Sequence, residues 1–187
     1  MKKFKKIIVP LLVVLCIPLF LAGCGSKEAF ADSAQNKNGE IWFALNGNTV
    51  ENIFYVQKNS ITSYEIGNHK LSFFTGKSNS EVLSEAKKIG SDKVGSSEAE
   101  PYTVKLITDD NSKVLKEKVY AGGTSEDDEL FTLENPNAKV KVNGKFYYGY
   151  NANADGDKGK LISNSGKQVT FDNDKINNVE QVNQEND

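Results

Sequence analysis

The sequence predicts a mainly β fold of α+β type, an antiparallel, sheet-rich sandwich or barrel-like domain with one short helix near 79–89. Three observations predict it. Between Ile41 and Phe171 apolar residues recur with period two or in short runs, as in strands with one or both faces buried. Glycine and asparagine turn signals separate those runs. One stretch, Ser78 to Gly90, changes to helical spacing with both ends marked.

The first half reads as a meander. Ile41 to Leu45 is apolar on both faces and predicts a central strand, closed by the turn Asn46-Gly47-Asn48. Ile53 to Val56 is the second strand, Ile61 to Ile66 the third, and Leu71 to Phe74 the fourth, with Lys58-Asn59-Ser60 and Gly67-Asn68 as the intervening turns. Ser78 and Glu81 match the capping-box spacing. Val82, Ala86 and Ile89 share a face, Lys87 and Lys88 suit the C-terminal end of the dipole, and Gly90 is placed to cap it. A polar connector, residues 91–100, leads to the second half. There the strand-like runs are 102–108, 114–120, 130–133, 139–142, 145–150, 160–162 and 168–171. Asp109-Asp110-Asn111 and Asn143-Gly144 are hairpin turn signals.

The two ends differ from this body. Residues 1–23 begin with Lys2, Lys3, Lys5 and Lys6, continue without charge from Ile7 to Leu21, and finish on small residues. This is the layout of a secretory signal, and the apolar run falls short of the roughly 20 residues a membrane span needs. Leu21-Ala22-Gly23-Cys24 then resembles the lipobox of bacterial lipoproteins. The resemblance implies cleavage before Cys24, a covalent diacylglycerol on the Cys24 thiol, and a protein held by lipid on the outer face of the cell membrane. Residues 24–38 would then be the flexible tether, 39–171 the globular domain, and 172–187 a polar flexible tail. The lysine- and asparagine-rich, cysteine-free body is similar in style to small surface lipoproteins of Gram-positive bacteria.

Charge and cysteine content narrow the functions. Of the 187 residues, removal of the first 23 leaves 164, and loss of their four lysines takes the net charge from −2 to −6. All basic residues are Lys, so the bidentate fork used on phosphates and base edges is missing, and nucleic acid is not an expected partner. Cys16 lies in the signal and Cys24 is the lipidation site, which leaves no thiol for a disulfide or a metal.

Candidate chemistry is sparse. Asn151, Asn153, Asp155 and Asp157, followed around Gly156 by strand-like sequence, resemble the first half of a calcium loop. Ile162 stands where the closing Glu belongs, so the competing expectation is a solvated hairpin. Glu126 to Glu129 is an acidic run of the kind that is usually solvated, and Gly122-Gly123 lacks the spacing of a phosphate loop. His69, the single histidine, has no nucleophile signature around it. Phe146, Tyr148 and Tyr150 fall on one strand face and Tyr147 on the other; the expectation is a core role for most aromatics. No catalytic residues are assigned. The expected function is a non-enzymatic binding or accessory module at the cell envelope, engaging the membrane through its lipid and an unidentified protein or envelope polymer through its domain. Two alternatives are a protective lipoprotein that excludes phage, toxin or protease, and a weak calcium-dependent or carboxylate-based envelope enzyme.

Overall fold

The computed structural model describes residues 29–33, 38–91, 98–122, 128–154, 156–171 and 180–183. Nine strands form one sheet in the order β3-β2-β1-β8-β7-β6-β5-β4-β9. Their ranges are β1 Glu40–Asn46, β2 Thr49–Gln57, β3 Ser60–Lys70, β4 Tyr102–Thr108, β5 Val114–Ala121, β6 Glu129–Val142, β7 Lys145–Ala154, β8 Asp157–Ser163 and β9 Glu180–Asn183. Neighbours from β3 round to β4 are antiparallel; only β9 runs parallel, beside Lys105 to Thr108 of β4. Apart from the β1–β8 pair, every antiparallel neighbour is also the next strand in the chain. The sheet is therefore an up-and-down meander.

It curls into an open barrel. Phe54 of β2 and Phe131 of β6 lie four places apart in the strand order, yet their rings meet at 5.2 Å. Edge strand β3 meets the segment just before β4 at one point, where Ile61 and Glu100 exchange backbone hydrogen bonds of 2.8 and 2.9 Å. Alternation along each strand then separates two cores. The inner one collects Trp42, Phe54, Val56, Val104, Leu106, Val119, Phe131, Leu133, Tyr150 and Leu161. The outer one collects Ile41, Phe43, Ile53, Tyr64, Ile66, Tyr147 and Ile162. It is covered by α2, Asn79–Ser91, through Val82 and Ala86.

The helix begins as the sequence predicts. Ser78 Oγ accepts the Glu81 N–H at 3.3 Å, and Glu81 Oε2 accepts the Ser78 N–H at 2.8 Å. The Ser78 hydroxyl also donates to Glu81 Oε2 at 2.7 Å, and this bond, followed by the one from the Ser78 N–H, holds the Glu81 carboxyl below its ordinary range. Its end differs: Gly90 lies inside the helix, buried, and does not cap it.

Other boundaries move for local reasons. Leu71–Phe73 is a 3-10 turn and not a strand. Leu71 and Phe74, three apart, are buried while Ser72 and Phe73 are exposed, and the Phe74 N–H returns to Leu71 O at 3.0 Å. Gly67-Asn68 is not a turn; β3 runs through it, and Gly67, at φ 66°, takes up a bulge where the pairing with β2 shifts between Val50 and Asn52. The runs 130–133 and 139–142 are one strand. Pro136 interrupts the ladder, and the register slips between Glu134 and Ala138. Residues 168–171 make no strand; Val169 packs into the inner core. At Gly149 the backbones of β7 and β8 come so close that any Cβ would strike the carbonyl oxygen of Leu161.

The two termini correct the domain boundaries. The stretch 24–38 is not wholly a tether. Phe30–Ser33 forms one helical turn, α1, and Ala29, Phe30, Ala31 and Ser33 are each 0% exposed. The stretch 172–187 is not wholly a tail, because residues 180–183 form β9. The signal segment and Leu21, Ala22, Gly23 and Cys24 lie outside the described residues.

Candidate functional site

Two features stand out inside the barrel: a polar knot that seals one end and a cleft at the other. The knot is built around α1. Phe30 packs on Trp42 at 5.2 Å and edge-on to Phe131 at 5.6 Å. Its N–H donates to Tyr150 Oη at 3.0 Å, and the Ala31 N–H donates to Glu117 Oε2 at 3.1 Å. Tyr150 Oη also lies 3.2 Å from Glu117 Oε1 and 3.0 Å from Thr170 O, so its one proton has two acceptors. Trp42 Nε1 donates to Ser33 Oγ at 2.9 Å, which in turn donates to Glu40 Oε2 at 3.1 Å. Asp32 closes the turn by accepting the Ala29 N–H at 2.8 Å.

Burial explains why these groups must find one another. Glu117 is 0% exposed and sits among apolar side chains, where an unsatisfied carboxyl is costly. Burial pushes the Tyr150 phenol well above its ordinary ionisation range, and the adjacent Glu117 carboxyl pushes it in the same direction. Tyr102 is also raised, by burial first and Glu40 second. Its hydroxyl has no hydrogen-bond partner among the described residues.

The cleft, about 350 Å³, opens between the β1–β2 turn, the start of β6 and the β7–β8 hairpin. Phe54, Phe131 and Leu161 form its floor. Ala44 and Ala152 leave the space above them, since larger side chains there would fill the mouth, and Gly159 borders it where a Cβ would meet the Leu45 carbonyl. Glu51 and Asp157 supply acids at the rim, and Lys158 and Lys160 border it from the outer face of β8. The arrangement can hold an apolar body against the aromatic floor and pair a charged end at the rim.

The residues singled out in the sequence are dispersed over the fold. Asn151 and Asn153 lie in β7 opposite Lys160 and Lys158. Alternation sends them to the outer surface, where they share a depression with those two lysines. Asp157 lies at the rim of the cleft, on the inner face, opposite Ala154. For these three residues the described geometry is that of a hairpin: Asn151 and Asn153 share one face, Asp157 takes the other, and lysines occupy the positions across from the asparagines. Asp155 lies outside the described residues. Among the described residues no group of three or more His, Cys, Asp or Glu is placed to hold a metal ion.

His69 Nδ1 is 3.1 Å from Ile66 O, and its ring rests near Phe73 and Phe74, away from the cleft lining. Of the acidic run, Glu126 and Asp127 lie outside the described residues, and Glu129 begins β6. Trp42, Phe43, Phe54, Phe74, Tyr147 and Tyr150 are core; among the described residues Phe73 and Phe146 are the exposed large hydrophobics, at 44% and 40%.

Sequence reasoning missed Glu117 and Phe30. Glu117 stands in Lys116-Glu117-Lys118, which looks like a solvated strand. Phe30, the one large apolar residue between Cys24 and Ile41, was the available signal that this segment docks. No known family model, curated protein or solved structure matches the chain.

Proposed function

We propose that this protein is a lipoprotein held through Cys24 on the outer face of the cell membrane. Its barrel would be a non-enzymatic binding module, taking up an apolar moiety with a charged end from a partner protein or an envelope polymer. The observation that carries the reading is the mouth cleft. The sheet curls far enough to enclose space for one small guest, and here small residues leave the mouth open above Phe54, Phe131 and Leu161. A volume of about 350 Å³ falls at the lower end of the range of ligand sites.

Anilinonaphthalene sulfonate, an apolar ring system with one anionic group, tests the cleft directly. Saturable binding to one site is expected, with fluorescence enhancement. Ala152→Phe, which fills the space over the floor, weakens it at least tenfold while thermal unfolding stays within a few degrees. Unsaturable binding, or equal affinity in the variant, rejects the cleft as the site.

The anchor has its own test. Cys24→Ala is expected to leave the signal uncleaved or the protein released, read by its size and its partition into detergent. Unchanged processing and unchanged membrane attachment reject lipidation at Cys24.

A further inference from the structure

The β6–β7 arm carries a surface that the cleft does not use. From Asn135 to Ala154 the chain contains no acid, while Lys139, Lys141 and Lys145 surround the turn at Asn143-Gly144. Register puts Lys139 opposite Tyr148 and Lys141 opposite Phe146, so all four side chains share one face. The ammonium groups of Lys139 and Lys141 stand 5.2 and 5.5 Å from the centre of the Phe146 ring, itself 40% exposed and 6.5 Å from Tyr148. Lys145 lies over Tyr147, 5.2 Å away. The three lysines are exposed, and none forms an ion pair with an acid among the described residues.

We propose that this arm docks on an anionic phospholipid surface, with Phe146 entering the headgroup layer and Lys139, Lys141 and Lys145 pairing with lipid phosphates. An exposed aromatic flanked by two cations on its own face, with Lys145 on the other face beside the turn, fits that layer, where apolar bodies are buried and ammonium groups reach outward to phosphate. Position supports the same occupant. Tyr150 holds Phe30, and Phe146 is four residues, roughly 13 Å, from Tyr150 along the same face of β7. Ala29 follows Cys24 by five residues, at most about 18 Å of chain. The cleft residues Ala152 and Ala154 lie in the opposite direction along β7, so a docked arm leaves the cleft pointing away from the bilayer. The choice of lipid over another polyanion rests on the Cys24 anchor proposed above.

The test removes the anchor, so that it fails separately. All the described packing lies within residues 29–183, and a chain beginning at Gly25 retains it. That chain is expected to sediment with phosphatidylglycerol-containing vesicles and not with phosphatidylcholine alone, and to be released by salt. Each lysine near the surface is worth roughly fivefold, so Lys139→Gln with Lys141→Gln and Lys145→Gln lowers vesicle affinity about a hundredfold. Phe146→Ala lowers it several-fold without changing the circular dichroism. No binding, equal binding to both vesicle types, or unchanged binding by the triple variant overturns the proposal. So does lysine-dependent binding of soluble polyphosphate without vesicle binding, which gives the arm to an anionic polymer.

Discussion

Phe30→Ala is expected to lower stability by about 3–5 kcal/mol, the usual cost of emptying a buried aromatic site. For a chain of this size that is a fall of roughly 10 °C in the unfolding midpoint. The side chain is fully enclosed between Trp42 and Phe131, and its backbone N–H is fixed by Tyr150, so neighbouring groups have little freedom to collapse into the space. Thermal unfolding followed by circular dichroism reads the effect. Phe146→Ala, on the exposed arm, should fall within about 0.5 kcal/mol and serves as the control. If Phe30→Ala melts like the parent, residues 29–33 are spacer after all and the barrel is sealed by something else.

Tyr150→Phe should cost about 3 kcal/mol although the ring packing survives. The change removes one oxygen on which three groups converge. The buried Phe30 N–H loses its acceptor, and Glu117 Oε1 and Thr170 O lose a shared donor. Unsatisfied buried groups cost about 1–3 kcal/mol each. The ring still meets Trp42 at 6.0 Å and Phe171 at 5.3 Å, which separates the hydroxyl's contribution from that of the aromatic body.

The variant also has a pH signature. The folded Tyr150 ionises well above the unfolded value of 10.0, so its linkage contribution is fully present below pH 10 and is lost as pH rises. The unfolded chain gives up that proton first. The parent should therefore lose stability above about pH 10 more steeply than Tyr150→Phe, by the equivalent of one titrating group. Parallel alkaline limbs in denaturant titrations would show that the hydroxyl is not buried as described.

The fold was legible where local chemistry and burial agree. Ile41 to Leu45 alternates between two real cores, Trp42 inward and Phe43 outward, and so reads as apolar throughout. Ser78 and Glu81 cap the helix because both partners are three residues apart in the chain. Legibility failed where a long-range contact overrode local composition. Residues 180–183 are polar and carry little strand signal, yet the open edge of β4 supplies a ladder for them. Leu71 to Phe74 is locally strand-like, but the Leu71 N–H is taken by Asn48 O and the chain turns.

The candidate site was barely legible at all. Its floor comes from β2, β6 and β8, and nothing in the spacing of Phe54, Phe131 and Leu161 tells that they meet. The meaning of the Asn151 to Asp157 pattern is likewise not set by spacing. Alternate oxygens in sequence suggest convergence on a cation, whereas Asn151 and Asn153 stay on one face of β7 about 7 Å apart and Asp157 begins β8 on the other face.

By itself the sequence determined the β-rich antiparallel class and the helix capped by Ser78 and Glu81, since each follows from spacing between residues near in the chain. It also carries the Leu21-Ala22-Gly23-Cys24 pattern on which the anchoring proposal stands. Tertiary structure alone decided that the sheet curls, that Ala31 and Glu117 meet inside it though 86 residues apart in the chain, and that one mouth stays open. The reason is physical. Period and capping are written in local spacing, but curvature and closure depend on which distant side chains fill the interior, and burial assigns those partners only once the strands are assembled.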